Sequence, residues 1–253
     1  MIEDIGVPLA VAVIAVLVFV VGARLRALVW RKPENGDSGS VTLELISTLF
    51  MAVAAFVVVI CWQQYDNAHN HTVTESKSLV DVYWAAHAMP EPAHSEIQRL
   101  VRDYTEQVVA TEWSVMDRDR RLDQDTQAIL DTLRDTVLAV QSEDSEVGDQ
   151  RTTALAALDS VAQARHDRAL DAQLGMPGFL YGALWFGIVL LLFSSVLAGV
   201  EVSARSVAMT ALLGIVVGAA VLAIYRLDRP FAGGNVVSKD AFELALARFQ
   251  QIT

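Results

Sequence analysis

The sequence predicts an all-α membrane protein with four transmembrane helices, a helical-bundle insert between spans 2 and 3, and a short C-terminal helix. The 253-residue chain is 53% hydrophobic yet carries a net charge of −11. It contains four apolar runs that are each long enough, at about 1.5 Å per residue, to cross about 30 Å of hydrocarbon. Residues 65–177 hold 21 Asp and Glu against 10 Lys and Arg, so this segment accounts for the whole net charge.

The predicted spans lie close to the two ends of the chain, in two pairs. They are Gly6–Ala23, Val41–Cys61, Gly178–Val200 and Ser206–Tyr225. Four runs of this length exceed the core helices of water-soluble proteins. A cleaved signal peptide is the alternative for the first run, but Glu3 and Asp4 precede it and basic residues follow it, so we interpret it as a retained span.

These spans divide the chain into four predicted regions. Residues 1–64 form spans 1 and 2 with a short basic loop, and 65–177 form an acidic, water-facing helical domain. Residues 178–226 form spans 3 and 4, and 227–253 form an Arg-Pro-Phe turn and a C-terminal helix that docks. The chain is therefore predicted to be a multi-pass protein of the cell membrane, and sixteen Arg against three Lys indicate a GC-rich bacterial genome.

The orientation of the helical domain is predicted from the first loop, ARLRALVWRKPENGDSG. This loop is short and contains four positive charges, so the positive-inside rule places it in the cytoplasm. The helical domain would then be extracytoplasmic. Arg226 and Arg229 lie directly after span 4 and, by the same rule, favour the opposite orientation, so both orientations are kept as alternatives.

The insert is predicted to contain three or four amphipathic helices that pack as a bundle. Apolar residues recur at three- and four-residue spacing after NHTVTESKS, after MPEPAHSE, after MDRDRRLDQD and after SEDSEVGDQ. Pro90 and Pro92 separate the first helix from the second. The acidic outer faces make the domain soluble and leave a protein partner possible, whereas the absence of a basic cluster argues against nucleic acid.

Three polar residues near the start of span 2 are candidates for the lining of a pore. Glu44 lies in the first turn of the span, with Ser47 and Thr48 beside it. A carboxylate inside hydrocarbon is costly and needs a partner, water or a cavity. The alternative is that the span begins one turn later and that Glu44 lies at the interface, stabilised by the helix N-terminus.

Two carboxylates of the insert are predicted to be structural. Glu75 opens the first insert helix, where Thr72 or Thr74 would provide the cap and Glu75 would complement the helix dipole. Glu112 precedes Trp113 on an apolar stripe. A buried carboxylate needs a cation, and Arg226 or Arg229 is the expected partner; a surface glutamate beside a core tryptophan is the alternative.

The turn after span 4 is predicted to be a latch between membrane and bundle. Pro230 ends the helix, Gly233 permits a reversal, and Phe231 fills an apolar gap. Ser238 then caps a last helix that docks on the bundle. The predicted latch residues are Glu75, Glu112, Trp113, Arg226, Arg229, Pro230, Phe231 and Gly233.

No motif of the chain indicates catalysis or a cofactor. His69 and His71 lack a third metal ligand at helical spacing, and Cys61 is the single cysteine. No Ser-His-Asp set, phosphate loop or zinc motif occurs in the sequence. Gly178-x-x-x-Gly182 and Gly214-x-x-x-Gly218 indicate closely packed membrane helices, within one chain or between chains. We therefore expect no enzyme, no cofactor and no metal site.

Three stretches resemble the bestrophin-like membrane proteins, a family defined by a domain of unknown function. These are TVTESKSLVDVYWAA, LVRDYTEQVVATEW and LDRPFAGGNVVS, in this order relative to the four spans. The resemblance covers nearly the whole chain except residues 120–175. It implies a distant likeness to bestrophins, which are pentameric anion channels with a cytosolic helical domain and a pore lined mainly by the second span.

Two function classes follow. The first is a homo-oligomeric, bestrophin-like ion channel or pore in the lipid bilayer, with Glu44, Ser47 and Thr48 around its axis. The second is a non-transporting sensor or scaffold whose acidic domain binds a partner protein and whose spans anchor it. A closed ring of protomers and a wet path would distinguish the first from the second.

Overall fold

The computed structural model describes residues 2–29, 37–232 and 237–252. Over these ranges the chain is helical and contains no strand. The helices are α1 (Ile2–Val29), α2 (Asp37–His87), α3 (Ala93–Gln107), a π-helical turn (Val108–Glu112), α4 (Trp113–Asp119), α5 (Gln124–Ala139), α6 (Ser145–Gln173), α7 (Gly178–Leu197), α8 (Ala204–Leu227) and α9 (Asp240–Phe249). The predicted all-α membrane architecture with an inserted helical domain is confirmed.

The chain divides into two compact units. The membrane unit comprises Met1–Trp62 and Met176–Asp228, and the helical domain comprises Gln63–Gly175 and Arg229–Thr253. Among the residues that the structure describes, four helical segments are long and apolar enough to cross a membrane: Ile5–Arg26, Ser47–His87, Gly178–Leu197 and Ala204–Leu227. The predicted Gly233 lies outside the described residues.

The two glycine pairs of the membrane unit have different surroundings. A Cβ on Gly214 would lie 2.5 Å from the Ala12 Cα, and one on Gly218 would lie 2.6 Å from the Pro8 Cα. Because only glycine leaves room for this approach, the pair allows α8 to pack on the backbone of α1. Gly178 and Gly182 have no neighbouring atom within 4 Å of such a Cβ. The same spacing thus marks a packed surface in α8 and an open one in α7.

Helix α2 is continuous for 51 residues, which corrects the prediction that an insert helix starts near Glu75. Residues 41–88 contain neither Gly nor Pro, so nothing in the backbone interrupts the helix. The Thr72 hydroxyl donates a hydrogen bond of 2.8 Å to the Ala68 carbonyl, four residues earlier. Thr72 is therefore an internal helical residue that does not cap, and Glu75 lies in the middle of the helix.

The helical domain packs α3, α5, α6 and α9 with the end of α2 around one apolar core. The Asp123 side chain caps α5 by accepting a hydrogen bond of 3.0 Å from the Thr126 N–H. Helix α9 contributes Phe242, Ala245 and Phe249, all buried, and the Phe249 ring stacks on Tyr83 with centroids 4.6 Å apart. The final helix is thus an integral part of the domain core.

Candidate functional site

Five polar side chains from four segments meet in the interior of the helical domain, and we call them the buried charge cluster. They are Glu75 on α2, Tyr104 on α3, Glu112 on the π-helical turn, and Arg165 and Arg168 on α6. Each is at most 3% exposed. Two carboxylates and two guanidinium groups give the cluster no net charge.

Arg168 is the centre of the cluster. Its Nε and Nη2 donate to the two oxygens of Glu75 at 2.8 and 2.9 Å, which is a bidentate pair. Nη2 also donates to Glu112 Oε2 at 2.6 Å. The guanidinium carbon lies 5.6 Å from the Trp113 ring centroid and 5.5 Å from that of Phe242. Arg168 therefore connects α2, the π-helical turn and α9.

Arg165 completes the cluster from one helical turn away. Its Nη2 lies 2.6 Å from Glu112 Oε1, in an ion pair whose angle does not make a directed hydrogen bond. Nη1 donates to the Tyr104 hydroxyl at 3.0 Å, and that hydroxyl donates in turn to Glu75 Oε1. Nη2 also donates to the Asp123 carbonyl at 3.0 Å. These contacts tie α3, α5 and α6 together.

The protonation states follow from these contacts. Burial and the neighbouring Glu75 raise the pKa of Tyr104 well above its ordinary value, so the phenol stays a neutral donor. Burial would lower the pKa of Arg168, but Glu112 and Glu75 outweigh it and hold that pKa above the ordinary value. Both oxygens of Glu75 and Oε2 of Glu112 accept hydrogen bonds within the cluster, and Glu112 Oε1 has an ion-pair contact with Arg165. The cluster is therefore suited to holding helices together.

Sequence reasoning missed Arg165 and Arg168, although a signal for both is present. Leu158, Val161, Arg165 and Arg168 follow one another at three- and four-residue spacing and share the buried face of α6. Two arginines that continue an apolar stripe predict buried cations that require carboxylates. They lie in the one region, 120–175, where no resemblance was found.

The expected pairing of Glu112 with Arg226 or Arg229 is wrong. Arg168 and Arg165 occupy the two oxygens of Glu112. Arg229 is exposed, and Arg226 is a half-buried residue at the end of α8. The contact between α6 and the π-helical turn places Arg165 and Arg168 against this carboxylate.

Trp113, Pro230 and Phe231 hold the C-terminal segment within the helical domain. The Trp113 indole N–H donates to the Val237 carbonyl at 2.7 Å, and the Val237 N–H donates to the Pro230 carbonyl at 2.6 Å. Phe231 is 2% exposed and packs edge-on against the Trp113 ring, with centroids 6.2 Å apart. Trp113 thus joins the segment after α8 to the buried charge cluster.

Two other polar groups have partners that the sequence did not indicate. His71 Nδ1 lies 2.7 Å from Asp171 Oδ2, whereas His69 is exposed, so the two histidines face different surroundings. Burial raises the pKa of Asp171 above its ordinary value.

In the membrane unit, buried Asp228 accepts hydrogen bonds from the Met176 N–H and the Tyr181 hydroxyl, which connects α8 to the start of α7.

The structure separates the three pore-lining candidates. Glu44 and Thr48 are exposed, and the Thr48 hydroxyl donates to the Glu44 carbonyl at 2.9 Å. Ser47 is half-buried and lines a cavity between α2, α7 and α8. Glu44 and Thr48 begin an exposed stripe on α2 at three- and four-residue spacing, which we call the α2 stripe: Glu44, Thr48, Met51, Ala55, Val59 and Trp62.

The helices and the buried charge cluster define a four-span membrane protein. A helical domain, whose helices are joined by buried ion pairs, lies between its second and third spans. The bestrophin-like domain matches the chain over residues 9–242, and the chain belongs to this family. The predicted resemblance is confirmed. The sequence is similar to none of the curated proteins.

Solved structures share this fold at low identity. One crystal structure of a bacterial bestrophin homolog from Klebsiella pneumoniae, a variant, aligns with a TM-score of 0.69 at 12% identity, over 99% of this chain and 98% of that chain. A second structure of the homolog from this organism, phased with zinc, aligns with a TM-score of 0.68 at 12% identity, over 99% and 97% of the two chains. The likeness extends across both units of the chain.

Proposed function

We propose that the protein is a bestrophin-like, homo-oligomeric ion channel whose pore is lined by the α2 stripe. The observation that carries the proposal is the exposure of this stripe. Met51, Val59 and Trp62 are 61%, 60% and 58% exposed, and Glu44 and Thr48 at its start are exposed polar residues. Membership of the bestrophin-like family supports the assembly.

The opposite face of α2 supports this assignment. Val57 and Cys61 are fully buried and pack with Leu184, Ile188 and Ile224 in the core of the membrane unit. One face of α2 therefore holds the protomer together, whereas the α2 stripe is exposed in the protomer, with Met51 and Ala55 also bordering the cavity between α2, α7 and α8. The carboxylate of Glu44 at the start of the stripe favours cations in such a pore.

The first test is the mass of the purified full-length protein in detergent, measured by native mass spectrometry. A closed ring of several identical chains supports the proposal. A monomer or dimer contradicts it, because four spans in one protomer are too few to enclose this type of pore, and the scaffold hypothesis would then replace it.

The second test is ion selectivity in a planar bilayer. Glu44→Gln should shift the reversal potential under a KCl gradient away from cation preference, because it removes the charge from the stripe. Glu106→Gln is the matched control, since Glu106 is an exposed carboxylate of the helical domain and the same charge is lost. Equal reversal potentials for both variants and the unmodified protein would remove Glu44 from the pore.

The side of the membrane on which the helical domain lies remains a prediction. The charge pattern of the first loop places the domain outside, and the family resemblance implies the cytosol. Cys61 is buried and is the only cysteine of the sequence. A single cysteine introduced at exposed Asp149 in a Cys61→Ala background can therefore be labelled with a membrane-impermeant maleimide in intact cells. Labelling supports the outside orientation, and labelling only after lysis contradicts it.

A further inference from the structure

The end of the membrane unit where α7 connects to α8 contains a cavity of about 570 Å³. This volume lies within the roughly 300–1,000 Å³ range of small-molecule sites. Its polar lining includes Glu201, Ser203, Arg205 and Thr210, and its apolar lining includes Met209 and Leu213. The cavity therefore offers both polar and apolar surfaces to one ligand.

Two opposite charges line this cavity without pairing with each other. Glu201 and Arg205 are both exposed, and within the described residues neither side chain forms an ion pair. Arg205 lies in the first turn of α8, whose N-cap is Ser203. The Ser206 N–H of this turn already donates to the Ser203 hydroxyl, so the N–H groups of Ala204 and Arg205 and the Arg205 guanidinium are the donors that can meet phosphate oxygens. Glu201 offers an acceptor for a cation at the same cavity.

Thr210 adds a further polar side chain to the lining of this cavity. It lines the cavity and is only 4% exposed, yet in the described part of the chain its hydroxyl has no hydrogen-bond partner. Other helical threonines of this protein, such as Thr72 and Thr105, donate to the carbonyl four residues earlier. The Thr210 hydroxyl is therefore available to a group that binds in the cavity.

A second cavity, of about 430 Å³, continues from the first along α8. Leu213 lines both cavities. The second lies between α2, α7 and α8, and its lining is almost wholly apolar. It includes Met51 and Ala55 at the edge of the α2 stripe, so an acyl chain in this cavity would lie beside the stripe. One of its two polar residues, Ser194, donates its hydroxyl to the Leu191 carbonyl at 2.6 Å. The lining of the two cavities thus becomes less polar from the first turn of α8 along the helix.

We propose that the two cavities together bind one phospholipid with a phosphoethanolamine headgroup. The phosphate lies at Arg205 and the first turn of α8, the ammonium at Glu201, and one acyl chain in the apolar cavity. An ammonium with N–H donors suits a carboxylate better than a quaternary amine does. An apolar helix of a second copy would fill the second cavity but would leave Glu201 and Arg205 without partners.

The test is native mass spectrometry of the full-length, delipidated protein titrated with phosphatidylethanolamine, phosphatidylcholine and phosphatidylglycerol of equal chain length. We expect the highest occupancy with phosphatidylethanolamine. Arg205→Gln should lower it roughly five- to tenfold, because a charge-assisted phosphate contact is lost. Arg24→Gln is the matched control, since Arg24 is an exposed arginine of α1 in the same unit.

Three further variants separate the parts of the site. Glu201→Gln should reverse the preference toward phosphatidylglycerol, whose headgroup has no ammonium. Thr210→Val should lower occupancy about two- to fivefold with an unchanged melting temperature, because it removes only a hydroxyl. Ala220→Phe, which narrows the apolar cavity, should weaken all three lipids and keep their order.

Each contrary result overturns a defined part of the proposal. Equal occupancy by the three lipids, or equal effects of Arg205→Gln and Arg24→Gln, would rule out headgroup recognition. Glycerophosphoethanolamine has no acyl chains, and its binding as tightly as the lipid would rule out the chain in the apolar cavity. Two results together would show that a second copy fills this cavity: the lipid is lost when the protomers form an oligomer, and Ala220→Phe impairs that oligomer.

Discussion

The helical domain and the membrane unit keep polar groups away from water in different ways. The helical domain places four charged side chains in its interior, where Glu75, Glu112, Arg165 and Arg168 compensate one another. The membrane unit keeps its charged contacts near helix ends. Arg26 donates to the Val196 carbonyl at the end of α7, and Asp228 binds the Met176 N–H ahead of its start.

This difference follows from how each unit gains stability. The helical domain gains stability by burying apolar surface from water, which can offset the desolvation of a fully paired charge cluster. Helices in a bilayer gain little from burying apolar groups against one another and rely on close packing. The Gly214 and Gly218 contacts with α1 are contacts of this kind. Buried ion pairs therefore help to fix the helix packing of the helical domain, and close backbone contacts at glycine help to fix the helix packing of the membrane unit.

The strongest test of this comparison is Arg168→Met. The variant leaves Glu75 and Glu112 buried with one cation fewer, so the free energy of unfolding of the helical domain should fall by about 3–5 kcal/mol. Thermal unfolding followed by tryptophan fluorescence measures the change. Arg99→Met is the control, because Arg99 pairs with Glu96 and Asp103 at the surface and should cost at most about 1 kcal/mol. Equal shifts in melting temperature would contradict a structural role for the cluster.

The second test compares the two glycine pairs. Gly214→Leu pushes a side chain into the backbone of α1 and should destabilise the membrane unit by about 1–3 kcal/mol. Gly182→Leu enters open space and should leave the protomer within about 0.5 kcal/mol of the unmodified protein. Melting temperatures in detergent check both values. If Gly182→Leu instead changes the native mass of the complex, the open face of α7 is a contact between protomers.

The third test concerns the C-terminal segment. Trp113→Phe keeps most of the ring packing but removes the hydrogen bond to the Val237 carbonyl, at a cost of about 1 kcal/mol. Hydrogen exchange in α9 should accelerate, because this bond holds the segment that leads into the helix. Trp185→Phe is the control, because Trp185 is 57% exposed and lies on α7, in the membrane unit. Unchanged exchange in α9 would show that Phe231 and Phe242 suffice to hold the segment.

The smallest expected effect is a pH dependence from Asp171. Because burial raises its pKa, the folded state binds this proton at a higher pH than the unfolded state does. Stability should therefore fall as pH rises from the ordinary aspartate pKa through the raised one. Asp171→Asn should flatten this mildly acidic part of the melting-temperature profile. Asp149→Asn, at an exposed site on the same helix, should not, and equal profiles would assign the dependence to other groups.

Much of this architecture could be predicted from local sequence. The apolar runs are longer than a soluble core requires, and the charges between them give the insert its water-facing character. The docking of the last helix on the bundle was also predicted, and its buried residues Phe242, Ala245 and Phe249 recur at three- and four-residue spacing. The spacing of apolar residues over a few helical turns is a local property, so it can be recognised in the sequence without knowledge of the rest of the fold.

Partners of individual polar groups could not be predicted in this way. Glu112 is separated by 56 residues from Arg168 and lies beside it only because α6 packs against the π-helical turn. The sequence determined by itself that the chain spans a membrane four times and carries an acidic helical domain. Only the tertiary structure decided which cations meet Glu75 and Glu112 and which glycine pair is packed, because these contacts join residues remote along the chain.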